Sequence, residues 1–100
     1  MWQRLYKGPH PIVAKSIDNV AYCLNAVGRP IEALTNAQAA LTMRQQMYRG
    51  DHPDLADSLN SVARHLYLLG RNAEALPKFE AALAMRQRLN EDHPDRKSVV

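Results

Sequence analysis

The sequence predicts an all-α protein built as a stack of antiparallel helix pairs. Residues 10–50 slide onto 52–92 without a gap and give 18 identities in 41 positions. Within each copy, apolar residues recur at helical spacing, and each copy is divided by a glycine followed by arginine. A fixed period of about 20–50 residues marks a repeat architecture, in which each unit buries its apolar face against the next. Such a stack presents a surface rather than a reaction centre, so no enzyme activity is expected.

The first helix of each copy is predicted from about Pro11 to Val27 and from Pro53 to Leu69. Proline suits the first helical position, where its missing N–H had no partner to lose. The apolar stripe is Val13, Ile17, Val20, Ala21, Leu24 and Val27, then Leu55, Leu59, Val62, Ala63, Leu66 and Leu69. Gly28 and Gly70 end these helices, as a C-terminal glycine in the left-handed conformation does. The second helix is predicted from about Pro30 to Tyr48 and from Asn72 to Leu89. Its buried stripe is Ile31, Leu34, Ala37, Leu41 and Met47, then Ala73, Leu76, Phe79, Leu83 and Leu89. Pro77 lies inside the last helix, where it predicts a small kink or a late start. Ala21, Ala33 and Ala40 recur as Ala63, Ala75 and Ala82, and methyl side chains let paired helices approach closely.

The repeat phase divides one module, residues 1–100, into the end of a preceding repeat (1–9), repeat one (10–51), repeat two (52–92), and the start of a third or a tail (93–100). No run of apolar residues is long enough to span a membrane. Met1-Trp2-Gln3-Arg4 lacks an apolar signal region, and the single Cys23 can form no internal disulfide. Both fit a cytoplasmic protein. The net charge of +3 is modest and its basic residues are scattered, which gives nucleic acid little to bind.

The segments His52-Pro53-Asp54-Leu55-Ala56, Ser58-Leu59-Asn60-Ser61-Val62-Ala63, Gly70-Arg71-Asn72-Ala73-Glu74-Ala75 and Ala81-Ala82-Leu83-Ala84-Met85-Arg86, with their counterparts in residues 10–50, resemble tetratricopeptide repeats. The period of 42 resembles the longer form found in kinesin light chains. The resemblance implies a right-handed superhelical stack whose first helices line a concave groove that holds a partner peptide. Carried onto this chain by the motif, the groove positions are Lys15, Asp18, Asn19, Tyr22 and Asn25, then Asp57, Asn60, Ser61, Arg64 and Tyr67. These are also the polar positions left when the apolar stripe is removed. The family's Leu-Asn-Asn-Leu-Ala segment reads Ile17-Asp18-Asn19-Val20-Ala21 and Leu59-Asn60-Ser61-Val62-Ala63 here, so Asp18 and Ser61 depart from it. An asparagine amide donates and accepts at once and can hold both groups of an extended backbone.

Other chemistry is poorly supplied. His10, His52 and His93 occupy the same loop position in successive copies, too far apart to converge on one metal ion. They are expected to be structural. No glycine-rich phosphate loop occurs, and no nucleophile is paired with a base, so neither cofactor nor metal is expected. Cys23, beside the apolar stripe, is expected to pack, while its counterpart His65 marks a partly exposed edge. Arg44 and Arg86 are expected to lay their stems on apolar surface with their heads in water.

The expected function is therefore binding of a protein or peptide segment in the groove. The alternative keeps the fold and assigns it to self-assembly or to an internal scaffold of a larger repeat protein. A nucleic-acid reading has charge alone as its motive. The last helix, with Leu83, Met85 and Leu89 near an uncovered flank, is expected to promote self-association.

Overall fold

The structure, a computed structural model, describes residues 10–91. Four helices follow one another: α1 (Pro11–Ala26), α2 (Pro30–Met47), α3 (Pro53–Leu68) and α4 (Asn72–Glu91). Their bounds follow from local chemistry. His10 and His52 are the N-caps of α1 and α3, and the Nδ1 of each accepts from the backbone N–H two residues on, Ile12 at 3.1 Å and Asp54 at 3.0 Å. The repeated loop histidines are thus structural caps at these two positions; His93 lies outside the described residues. Proline occupies the first turn of α1, α2 and α3.

Gly28 and Gly70 sit just past α1 and α3 with φ of 87° and 82°, as expected. The N–H of Gly28 bonds the Asn25 carbonyl and that of Arg29 the Leu24 carbonyl; Gly70 and Arg71 do the same to Tyr67 and Leu66. This double bond satisfies carbonyls that the helix end leaves unpaired. The next side chain then starts the second helix. Arg29 forks onto Glu32, and Arg71 onto Glu74, a carboxylate in the first turn where the helix dipole favours negative charge.

Contacts run in chain order, α1 with α2, α2 with α3 and α3 with α4. In addition α1 touches α3, whereas α2 and α4 make no such contact. The stack therefore closes on the side of the first helices. Its core is Ala21, Leu34, Ala37, Leu41, Leu55, Val62, Leu66 and Ala75, flanked by Leu59, Leu69, Phe79 and Met85. All six repeated alanines are buried, which is what close helix pairing requires.

Several expected core positions are not buried. Val20, Val27, Leu76 and Leu83 are half or more exposed, because no described element packs on the outer face of α1 or of α4. Ile31 and Ala73 are exposed for another reason. The face α2 buries carries Ala33, Leu34, Ala37, Ala40, Leu41 and Arg44, and Ile31 falls outside that arc. Cys23 and His65 exchange their expected roles: Cys23 is exposed and His65 is buried, since α2 covers that face of α3 only. Arg44 also departs from expectation, with its head buried rather than in water. Pro77 causes no late start; α4 runs through it, and both Pro77 and Ala73, whose carbonyl loses that N–H, face water.

Candidate functional site

The buried Arg44 organises the junction between the two helix pairs. Its guanidinium donates to Asp18 Oδ2 of α1 at 2.8 Å and to Ser58 Oγ of α3 at 2.7 Å. A longer bond of 3.4 Å reaches the Asp54 carbonyl. One side chain of α2 therefore touches both first helices. Burial raises the Asp18 carboxyl above the ordinary carboxylate range, against the opposing pull of Arg44. Its second oxygen, Oδ1, is buried without a hydrogen-bond partner, as is Nε of Arg44.

Beside this contact a second clasp closes the α2–α3 turn. The Tyr48 ring stacks on His52 with centroids 3.6 Å apart and planes 9° from parallel. Its hydroxyl donates to Asp54 Oδ2 at 2.9 Å. Farther along, Arg88 of α4 forks onto Asp51 in the same turn, and that hydrogen bonding lowers the Asp51 carboxyl below its ordinary range.

A recess of about 470 Å³ opens where α1 and α3 meet, with Arg44 at its wall. Pro11, Ile12, Lys15, Asp18 and Asn19 line it from α1, and Asp54 and Asp57 from α3. Four of the ten groove positions expected from the sequence, Lys15, Asp18, Asn19 and Asp57, thus share one opening. The other six do not line it. Tyr22, Arg64 and Tyr67 are exposed on the same two helices, and Asn25, Asn60 and Ser61 are half-buried there. Asp57 is held by Arg86 of α4, an exposed pair unlike the buried Asp18–Arg44 pair.

Pro11, Ile12, Arg44 and Asp54 line the recess and were not among the groove positions read from the sequence. A signal for Arg44 was present. It follows Leu34, Ala37 and Leu41 at steps of three and four, which places it on the buried face of α2. Asp54 carries no comparable signal, because its counterpart in the first copy is Ile12.

Recess and clasp offer hydrogen-bond donors and acceptors in fixed positions. Among the described residues no group of histidine, cysteine or carboxylate side chains is placed to hold a metal ion. No described helix is long and apolar enough to cross a membrane. Among curated proteins, none matches the chain. The pattern of the tetratricopeptide repeat, however, matches residues 12–88, which takes in α2, α3, most of α1 and α4, and the junction that Arg44 holds. Helix pairs punctuated by glycine, alanine-lined pairing and a pattern match over residues 12–88 agree, and the chain belongs to the tetratricopeptide repeat family.

Proposed function

We propose that the chain is an interaction module that holds an extended segment of a partner protein along its first helices, α1 and α3. Repeats of this family generally serve protein interaction, and the observation that carries the finer reading is the recess between those two helices. Lys15, Asp18, Asn19 and Asp57 surround it, contributed by both repeats. Carboxylates dominate: Asp18, Asp54 and Asp57 line the recess, while Arg44 is already shared among three partners. A segment that offers N–H groups, from its backbone or from a basic side chain, fits this chemistry. Asn19 can pair with both groups of an extended backbone. Asn25, Asn60, Ser61, Arg64, Tyr22 and Tyr67 continue the surface along the same helices, and exposed tyrosine and arginine are common anchors of binding surfaces.

In this reading the units are residues 10–51 and 52–92, with 1–9 the end of a preceding repeat and 93–100 the start of a third repeat or a tail, and the period of 42 supports the kinesin-light-chain-like form. The module is a non-catalytic, cytoplasmic scaffold; its lone cysteine supports a reducing compartment. Self-association through the end helices uses mainly other residues, with Asn19 at the border of both surfaces.

The test is selection of peptides from a random library on the 100-residue chain, followed by fluorescence anisotropy on the selected sequences. Basic peptides are expected. Asn19→Ala, and separately Asp57→Asn, should weaken them about tenfold, the effect of losing about 1.4 kcal/mol of contact. Helicity should be unchanged. Equal affinity in both variants would move the site off the first helices.

A further inference from the structure

The two ends of the stack are complementary, because each repeats one half of the junction inside it. At that junction α3 presents Leu55, Ser58, Val62, His65 and Leu69 to α2, and α2 presents Leu34, Ala37, Leu41, Arg44 and Tyr48 in return. Shifted by one repeat, the α3 face becomes Val13, Ser16, Val20, Cys23 and Val27 of α1. The α2 face becomes Leu76, Phe79, Leu83, Arg86 and Asn90 of α4.

No other described element packs on these shifted faces, although Phe79 lies partly against the core of its own stack. Val62 is 0% exposed and Val20 is 50%; Leu41 is 6% exposed and Leu83 is 59%. On α1 the open face forms a shallow apolar groove of about 320 Å³ lined by Asn19, Val20, Cys23, Leu24 and Val27. Moved one repeat along, these positions are Ser61, Val62, His65, Leu66 and Leu69, next to which Leu34 and Leu41 pack.

We infer that copies of this chain stack head to tail, with α4 of one copy seated on α1 of the next, in the geometry by which α3 seats on α2. Leu76 and Leu83 enter the groove around Val20 and Val27. Arg86 already grips Asp57 of its own pair, as Arg44 grips Asp18, and its remaining donors face Ser16 of the next copy, the counterpart of Ser58. The Tyr48–Asp54 clasp is not reproduced, since Asn90 and Ile12 stand in its place. The contact between copies is therefore looser than the internal one and concentration-dependent. It is also polar in direction: one face meets a different face, so association runs on into open chains rather than closing as a symmetric dimer.

Val20→Glu and Leu83→Glu test this, since both residues are exposed and neither lies in the recess. Sedimentation of the 100-residue chain across a micromolar-to-millimolar series should show a mass that climbs without a plateau. Each variant alone should remain a monomer with unchanged helicity. Mixed in equal amounts, the two should form dimers and nothing larger, because each retains the face that the other lacks. Two results would overturn the inference. A wild-type chain that stays monomeric throughout would leave the end faces to another protein. A dimer plateau abolished by either variant and not restored by mixing would mean a symmetric contact. Neither result bears on peptide binding in the recess, which uses residues that these variants keep.

Discussion

Leu41 and Leu83 occupy the same position in successive repeats, so replacing each with alanine separates sequence from surroundings. Leu41 lies between α1 and α3 in a cluster with Ala21, Leu34, Ala37, Leu55, Val62 and Leu66. Leu→Ala deletes three carbons, worth about 2.4 kcal/mol of transfer at about 0.8 kcal/mol each. With 94% of Leu41 removed from water, most of that is lost, and the hole left between helices on two sides adds to it. The expected loss is about 3 kcal/mol, within the roughly 2–5 kcal/mol range of buried leucines. Leu83 has 41% of its surface covered and leaves no enclosed hole, which gives about 1 kcal/mol.

For a domain of this size, about 1 kcal/mol moves the midpoint of thermal unfolding by about 4–8 °C. Leu41→Ala should therefore lower Tm by about 12–24 °C, and Leu83→Ala by less than about 8 °C. The measurement is circular dichroism at the lowest workable concentration, so that stacking between copies does not cover Leu83. Equal shifts in the two variants would refute the reasoning, because they would mean that the outer face of α4 is as well packed as that of α2.

Further outcomes are expected of single residues. Gly70→Val should destabilise by about 1–2 kcal/mol in urea unfolding, the penalty of a left-handed conformation at a position where an added Cβ meets nothing within 4 Å. Arg44→Ala strands the half-buried Asp18 carboxylate and should cost about 3 kcal/mol, whereas Arg86→Ala, which breaks an exposed pair, should leave the melting curve almost unmoved. Burial lowers the affinity of His65 for a proton, helped by the charge of Arg64, so the unfolded chain takes up that proton first. Stability should thus be full above the ordinary value of 6.5 and decline as pH falls through the lowered folded value; a His65→Leu variant that declines as steeply would remove His65 as the cause.

What could be read from the sequence was local. Proline at the first turn, glycine just past the end and histidine before the proline act within a few residues, and the helices begin and end within two residues of where they were placed. The paired alanines were equally legible, because they face a partner within the same repeat. What escaped depends on neighbours. Val20 and Val62 are the same residue in the same phase, and only the presence of α2 against α3 buries one of them. Cys23 and His65 differ for that reason too. A period reveals which residues share a face, not whether anything covers it. Of the recess, Lys15, Asp18, Asn19 and Asp57 were among the polar positions read from the sequence, but their meeting at one opening was not legible. That depends on the contact between α1 and α3, which lie a full repeat apart in sequence.

The recess exists only where two repeats meet. Lys15, Asp18 and Asn19 come from the first and Asp54 and Asp57 from the second, so an isolated helix pair would carry half of it. The relative position of the halves is set by the apolar faces of α2 and α3 together with two polar clasps, Arg44 on Asp18 and Ser58, and Tyr48 on His52 and Asp54. An apolar face tolerates small sliding, whereas a buried guanidinium with partners on two helices fixes where those helices lie against each other. Asp18 and Asp54 take part in the clasps and also line the recess, so the side chains that set the stacking also shape the opening. The residues that differ between the repeats fall here as well. Tyr48, Asp54 and Asp18 become Asn90, Ile12 and Asn60 one repeat away, while the alanines and glycines that build each pair do not change. Identical residues build the helix pair, and the differing ones give the single internal junction a chemistry that neither end of the stack repeats.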